Sequence, residues 1–411
     1  MRYILRVTCI EYGAIVRDSA VLLVFLAGLA LYSMLYPYPY SSEVLRNVPV
    51  VPVDQDRTML SQKLMRWADA SEEVTLTEEA ADMQEAQQQV MNGRANGIFL
   101  IPEGFERKVL RGEQATVSAY ADGSYFMIFR QIVSGLYKAT ATLSAGIEIR
   151  RYTAAGMGEQ HAKLARDPLP IVTRALFNPG GGYATYVTPA VLVLIMQQTL
   201  LIGIGTLGGT RNEEFTKAPP PPPGEKDSAL AVLVGKTLAY FSIYMLFPLF
   251  YLAVIFRTYS LPYQQNPATI MIFLVPFILS VTLLGHALNM LFRARETSIP
   301  VILFTSVPAI FLMGYSWPHE AIPGVLQTLS RMIPCTAGAL GFVRINQMGA
   351  TLYEVRHEWF TLWGLCAVYG VLAWLGTLHR PKGAKAAPTP VGASGQNAAA
   401  DVATIAAAKT A

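Results

Sequence analysis

Residues 183–207 read YATYVTPAVLVLIMQQTLLIGIGTL, 25 residues without a single charged side chain. A helix of about 20 apolar residues crosses a bilayer, because at 1.5 Å per residue it covers the hydrocarbon layer and satisfies its own backbone. This stretch therefore decides the class. Five further windows share its character: residues 19–36, 229–256, 268–292, 299–317 and 359–378. Pro248 and Pro276 fall inside two of them and blur their ends. The chain has 411 residues, of which 52% are hydrophobic and only 15% charged. A soluble domain carries about 25% charge. A purely cytosolic enzyme and a disordered chain are excluded on that ground. Three cysteines, Cys9, Cys335 and Cys366, are too few and too scattered for a disulfide scaffold or a metal cluster. A net charge of +4, spread along the chain, does not suggest nucleic acid.

The first window is preceded by Arg2, Arg6 and Arg17, as a signal peptide would be, but no small-x-small cleavage site follows. It runs instead into Tyr36-Pro37-Tyr38-Pro39-Tyr40, an interfacial aromatic belt. We read it as an uncleaved anchor. Residues 1–18 alternate Ile4, Leu5, Val7, Ile10, Ile15 and Val16 with Arg2, Arg6, Glu11 and Arg17, and are read as an amphipathic helix lying on the inner leaflet. Orientation follows from basic residues in short segments. Placing both termini inside puts Arg2, Arg6, Arg17, Arg211, Lys217, Lys226, Arg293, Arg295, Arg380, Lys382 and Lys385 inside, and only Arg257, Arg331, Arg344 and Arg356 outside.

The long segment 37–182 then lies outside and reads as alternating strands and helices. Residues 48–53, 74–76, 95–101 and 115–120 have strand character. Residues 57–70, 78–92, 105–110 and 125–151 have helical spacing. The fold class is thus an α-helical membrane protein with six transmembrane helices and a small α/β extracytoplasmic domain between helices 1 and 2. Residues 321–345 are apolar enough to dip into the outer leaflet as short helices, interrupted by Pro323, Pro334 and Gly338. On the inner side, Pro219–Pro223 form a stiff spacer or an altered docking loop, and residues 379–411 read as a disordered tail.

Several motifs imitate chemistry. Gly203-x-Gly205-x-x-Gly208 has dinucleotide spacing but ends an apolar span, where small residues serve close helix packing. Gly235-Lys236-Thr237 resembles the end of a phosphate-binding loop, but Leu230 stands where the opening glycine is needed. Lys236 reads as a snorkelling residue. His319-Glu320 and His357-Glu358 lack a metal-ligand partner in sequence. None of the six windows holds an Asp or Glu, which weighs against an ion-coupled carrier. Their polar residues are Gln197, Gln198, Lys236, His286 and Asn289. His286 and Asn289, three apart on one helix face, either line a path or tie two helices together.

The order and spacing of four stretches resemble the ABC-2 type permease family, the membrane subunit of a type V ABC exporter. They are Val50-Val51-Pro52-Val53-Asp54-Gln55-Asp56; VMNGRANGIFLIP from Val90 with the following EGFERKVLRGEQATVSAYADGS; LFNPGGGYATYVTP from Leu176; and SWPHEAIPGVLQTLSRMIP from Ser316. The likeness covers nearly all of residues 1–378. It implies a permease without an ATPase site of its own, a separate cytosolic ATPase subunit, and two permease chains, alike or unlike, around a central path. It implies an elbow helix before the first span, at about residues 3–15. It implies coupling loops at Arg211, Glu213 and Glu214 and at Arg293, Arg295 and Glu296, with no catalytic, metal or cofactor residue. The outer domain would meet a periplasmic adaptor or form the exit gate, in a Gram-negative inner membrane. The substrate class would be a hydrophobic or amphipathic drug-like compound, lipid or metabolite, moved outward. The polyproline run departs from the family, which has a polar helix there. Two other functions stay open at this level: a membrane-anchored binding or scaffold protein using the outer domain, and a proton-coupled antiporter.

Overall fold

The computed structural model describes residues 1–214, 228–264, 267–292 and 294–378, the Glu214 side chain excepted. The proline run, Arg293 and the tail 379–411 lie outside the described residues. Six helices are long and apolar enough to cross a membrane: Ser19–Tyr40, Tyr183–Glu213, Ala229–Thr258, Pro267–Leu288, Arg295–Leu312 and Arg356–Leu378. Numbered one to six in this order, they meet the sixfold expectation. The chain divides into two units, Met1–Ser41 with Ala184–Ala411, and Ser42–Tyr183.

In the helical unit the second span is the hub. From Ala190 to Leu207 nearly every side chain is buried. The first, fifth and sixth spans instead leave Leu26, Leu31, Phe304, Val307, Val371 and Leu372 open. Such continuous apolar exposure is costly in water and natural against lipid. Prolines leave visible marks. Pro248 has no N–H to give, so the third span breaks after Tyr244 and re-registers as a π-helix over Tyr251–Ile255. Pro276 is carried inside an unbroken fourth span.

The fifth span begins at Arg295, one turn earlier than its apolar window, and ends at Leu312. Gly314, at φ +82°, turns the chain. Two short helices follow, Gly324–Arg331 and Pro334–Met348. Pro323 and Pro334 stand at their starts, where a missing N–H is harmless. Gly338 does not interrupt the second helix. It lets the fourth span approach, since a Cβ there would lie 2.5 Å from the Phe277 ring, and Gly341 does the same for Phe273 at 2.1 Å. The helix stops at Gly349, whose φ of +72° is left-handed.

The second unit is a four-stranded sheet of order β2-β1-β3-β4. Its strands are β1 Val48–Asp54, β2 Val74–Leu76, β3 Gly97–Ile101 and β4 Ser118–Ala121. β1 runs parallel to β2 and β3, and β4 antiparallel to β3. Alternation sorts the side chains. Val48, Val50, Phe99 and Ile101 face the helices Met59–Asp69 and Phe126–Ala154, which contribute Leu64, Ala68, Ile132 and Leu136. Val51, Val53 and Ile98 face the other side, with Ala86 of Met83–Met91. Residues 78–81 are not helical as the periodicity suggests. The Thr77 and Ala80 N–H groups donate to β1 carbonyls at Val50 and Pro52 (2.9 and 3.0 Å), and the helix waits for Asp82 to cap it.

The acidic turn after β1 is a built feature. Asp54 accepts from the Ser61 hydroxyl (2.6 Å) and the N–H groups of Asp56 and Arg57 (3.1 and 3.0 Å). Ser61 and Thr58 close a capping box. Slight burial raises the Asp56 carboxyl, but N–H bonds from Glu106 and its neighbours and the Thr58 hydroxyl outweigh it, leaving the pKa below its ordinary value.

Candidate functional site

The N-terminal helix Arg2–Arg17 lies against the third span rather than free on a surface. It buries Thr8, Glu11 and Ile15, one stripe of its circumference. The Thr8 hydroxyl donates to the Gly235 carbonyl at 3.0 Å. Gly235 makes this approach available, because a Cβ there would sit 2.8 Å from Val7. The phosphate-loop look of Gly235-Lys236-Thr237 thus has a packing cause.

Glu11 is 1% exposed. Both its oxygens accept from Arg211, at 2.8 and 2.7 Å, and Oε1 also accepts from the Tyr240 hydroxyl at 2.8 Å. Burial pushes the carboxyl up, but Arg211 and Lys236 pull harder, so its pKa is below the ordinary value and it stays charged. The pair joins the elbow to the end of the second span, and Tyr240 joins both to the third.

A second ion pair closes the elbow's other end. Asp18 accepts from the N–H groups of Ala20 and Val21 at 3.1 and 3.2 Å, capping the start of the first span. The same carboxylate takes both guanidinium nitrogens of Arg295 at 3.0 and 2.8 Å. The Arg295 backbone N–H donates to Glu213 at 2.6 Å. Asn212 donates to the carbonyls of Asn289 and Phe292 at 3.2 and 2.6 Å. Elbow, second, fourth and fifth spans therefore meet in one charged seam.

Glycines of the second span set the approach distances. A Cβ at Gly203 would lie 1.8 Å from the Phe25 ring, at Gly205 3.0 Å from Ile302, and at Gly208 2.4 Å from the Asn289 side chain. The dinucleotide-like spacing is one glycine per helix contact.

The seam gathers Arg211, Glu213 and Arg295 from the two expected loops. Glu296 is exposed in the first turn of the fifth span. Glu214 ends the second-span helix, its side chain outside the described residues, and Arg293 is outside them altogether. His286 and Asn289 join the seam as well. With Arg211, Lys236, Tyr240 and Thr377 they line a cavity of about 40 Å³, room for a few waters. His286 meets the Tyr240 ring edge-on at 5.6 Å. Gln197 and Gln198 are not part of this group. Gln197 accepts the Cys335 N–H at 2.8 Å, and both amide atoms of buried Gln198 lack a hydrogen-bond partner.

Sequence reasoning missed Glu11, Asp18, Asn212 and Tyr240. One signal was available for Glu11: it is the sole carboxylate among residues 1–17, and it shares a helical stripe with apolar Ile15.

The arrangement contains joints between helix ends rather than a reaction centre. No curated protein matches the chain. A family model described as "ABC-2 family transporter protein" matches residues 19–218 and 227–375, which takes in Arg211 and Arg295 but not Glu11 or Asp18 of the elbow. The chain therefore belongs to the ABC-2 transporter family: it is a multi-pass membrane permease subunit, and its family implies a partner subunit that carries the ATPase.

Proposed function

We propose that the chain is the permease of an ATP-driven exporter that moves a hydrophobic or amphipathic compound outward across a bacterial inner membrane. Both termini are cytoplasmic and residues 37–182 face the periplasm, where they meet an adaptor or shape the exit. Two permease chains, alike or unlike, enclose the path. The bias of Lys and Arg toward the seam side supports the orientation. The single observation carrying the mechanism is the seam itself. An ATPase pressing on one end of the bundle needs rigid elements there, and the bidentate pairs Glu11–Arg211 and Asp18–Arg295 supply them.

The coupling residues divide into two roles. Glu213 and Glu296, exposed at the helix ends, together with Glu214 and Arg293, meet the ATPase. Arg211 and Arg295 pass the push to the elbow and the first span. Gln197, Gln198, His286 and Asn289 are the polar groups available along a path. The test is co-purification of the tagged permease with its ATPase, followed by ATP-dependent uptake of a lipophilic dye into inside-out vesicles. Changing Glu213, Glu214 and Glu296 to Ala together should cut ATPase association about tenfold, the effect of about 1.4 kcal/mol. Unchanged association and transport at normal expression overturn the coupling assignment.

A further inference from the structure

The sheet of the second unit has two edges, and only one of them is guarded. An open edge strand is a template for further pairing, so proteins blunt it. At β2 the Thr77 N–H donates inward to Val50, so the Leu76 N–H points outward, and the Asp69 carboxylate takes it at 2.8 Å. β4 forms the other edge. Just past it the Asp122 N–H donates to the Asn96 carbonyl at 2.9 Å, which sets the alternation. Ser118 and Tyr120 bond to β3, and Ala119 and Ala121 turn their N–H and C=O groups outward. Among the described residues nothing bonds to that outer row. β4 contains neither a charge nor a proline, and Ala119 and Tyr120 are exposed.

The same unit holds a strand-like segment that belongs to no sheet. The Asp167 N–H still bonds to Lys163, and from there the chain runs through residues 168–177, PLPIVTRALF, to Asn178. No turn or bend interrupts residues 170–175. Residues 168–175 make no backbone hydrogen bond among the described residues. Leu169, Ile171, Val172 and Leu176 are 88, 88, 78 and 75% exposed. Apolar exposure of that extent asks for cover. Lipid is the wrong cover, because an extended chain would carry unpaired N–H and C=O groups into hydrocarbon. A strand partner covers side chains and backbone together. Ile171-Val172-Thr173, three β-branched residues in a row, suit that partner.

One chain thus carries both an unfilled edge and an unpaired strand. We propose that residues 169–176 of one chain add as a strand to the β4 edge of a second copy, and that the second copy returns the same contact. The occupant follows from this complementarity. A two-fold axis fills both edges with both segments and leaves neither over, so the assembly closes as a dimer. An unrelated partner would cover the edge or the segment and leave the other bare. The inference rests on the proposed pairing of two permease chains and takes the two to be alike.

The test uses full chains in nanodiscs, with Cys9→Ser as background and two tags marking two copies. One copy carries Tyr120→Cys, which faces the added strand at a non-hydrogen-bonded position, where opposed side chains come closest. The other carries one of Ile171→Cys, Val172→Cys, Thr173→Cys, Arg174→Cys, Ala175→Cys and Leu176→Cys. On oxidation, disulfides between the two tags should form at every second position and fail in between, since side chains alternate along a strand. Prolines then check the backbone. An added edge strand gives alternate N–H groups to its neighbour and the rest to water. Of the double changes Ile171→Pro with Thr173→Pro and Val172→Pro with Arg174→Pro, one should therefore abolish the crosslink at Ala175 or Leu176 and the other should spare it. Neither removes a hydrogen bond within the chain, so folding is not at stake. Prolines without effect, or equal loss from both pairs, overturn the proposal. Two-chain discs that give no disulfide overturn the exchange and leave the dimer standing. Discs that never hold two chains overturn both. Equal crosslinking at all six positions overturns it in favour of a mobile segment. A disulfide within one chain carrying both cysteines, in single-chain discs, overturns it in favour of closure of the chain's own edge. No ATPase and no substrate enter the assay, so its failure leaves the export reading untouched.

Discussion

Replacing Glu11 by Ala should release the elbow helix from the bundle. Glu11 is 1% exposed and accepts two hydrogen bonds from the Arg211 guanidinium and one from Tyr240. Removing one partner of a buried ion pair costs about 3–5 kcal/mol, because the other is left uncompensated. The Arg211 side chain is 24% exposed and regains some hydration. Tyr240, at 1%, regains none. We therefore expect about 3 kcal/mol, near the low end of that range. Since 1.4 kcal/mol is a factor of ten, opening of the elbow should become about a hundredfold more frequent. Ile15, at 2% exposure, is the reporter. In a Cys9→Ser background, a cysteine at Ile15 should react with a thiol reagent about a hundredfold faster when Glu11 is Ala. Cys335 and Cys366 are buried and contribute little background. The control is a double change. Replacing Glu11 and Arg211 together leaves no orphaned charge, so its effect should be well below the sum of the two single changes. An acceleration below about threefold in a properly folded protein, or strict additivity in the double change, refutes the reasoning, since the pair would then be worth no more than a surface contact.

Four further outcomes follow from the same geometry. The Glu11 carboxyl has its folded pKa below the ordinary value, so its stabilisation is complete above the ordinary carboxylate range and is lost as pH falls through the folded value; hydrogen exchange of the elbow amides should accelerate on the acid side only, and the effect should vanish in Glu11→Ala. Asp18→Asn keeps the helix cap but loses the charge pair with Arg295, whereas Asp18→Ala loses both, so thermal melting in detergent should rank them in that order, with the cap alone worth about 1 kcal/mol. Gly203→Ala drives a methyl to within 1.8 Å of the Phe25 ring and should destabilise by about 1–3 kcal/mol, with Phe25→Ala restoring part of the loss. A cysteine at Asp122 should react with an impermeant thiol reagent added to intact cells and one at Pro221 should not; labelling of Pro221 from outside would sink the proposed orientation.

The six spans were legible because lipid imposes one strong rule, a long run without charge, and each run carries it alone. The strands were legible for a similar reason, since β1 and β3 are continuous β-branched or apolar runs. The seam was not legible, and the cause is physical. An ion pair such as Glu11–Arg211 joins residues 200 positions apart, and nothing local to either residue encodes the other. Arg211 and Arg295 read as exposed loop charges because charge beside a span is ordinarily solvated. Residues 78–81 read as helix because their alternative, donation from the Ala80 N–H to β1, lies far back in the chain at Pro52. The glycine run was legible as well: its ligand-binding spacing sits at the end of an apolar span, was read there as close helix packing, and has a wholly steric cause.

The seam also bears on which surface an ATPase could reach. A guanidinium that donates both arms to a carboxylate of its own chain has little left with which to bind a partner, and Arg211 and Arg295 are both in that condition. Under the proposed function, contact with the ATPase would then fall to side chains that stay exposed around them, Glu213 and Glu296, and to the elbow's outward residues. The elbow offers basic Arg2 and Arg17 there. Acidic helix ends beside a basic elbow make one composite face of mixed charge, and the ion pairs beneath it hold its parts in fixed relation. A push on any part of that face is shared with the first, second, third and fifth spans through bonds that are already formed. Loosening Glu11–Arg211 should for that reason weaken transmission while leaving the docking face chemically unchanged: ATPase association survives and ATP-driven uptake falls. Loss of association in Glu11→Ala, with uptake per bound ATPase intact, would place the pair in docking instead.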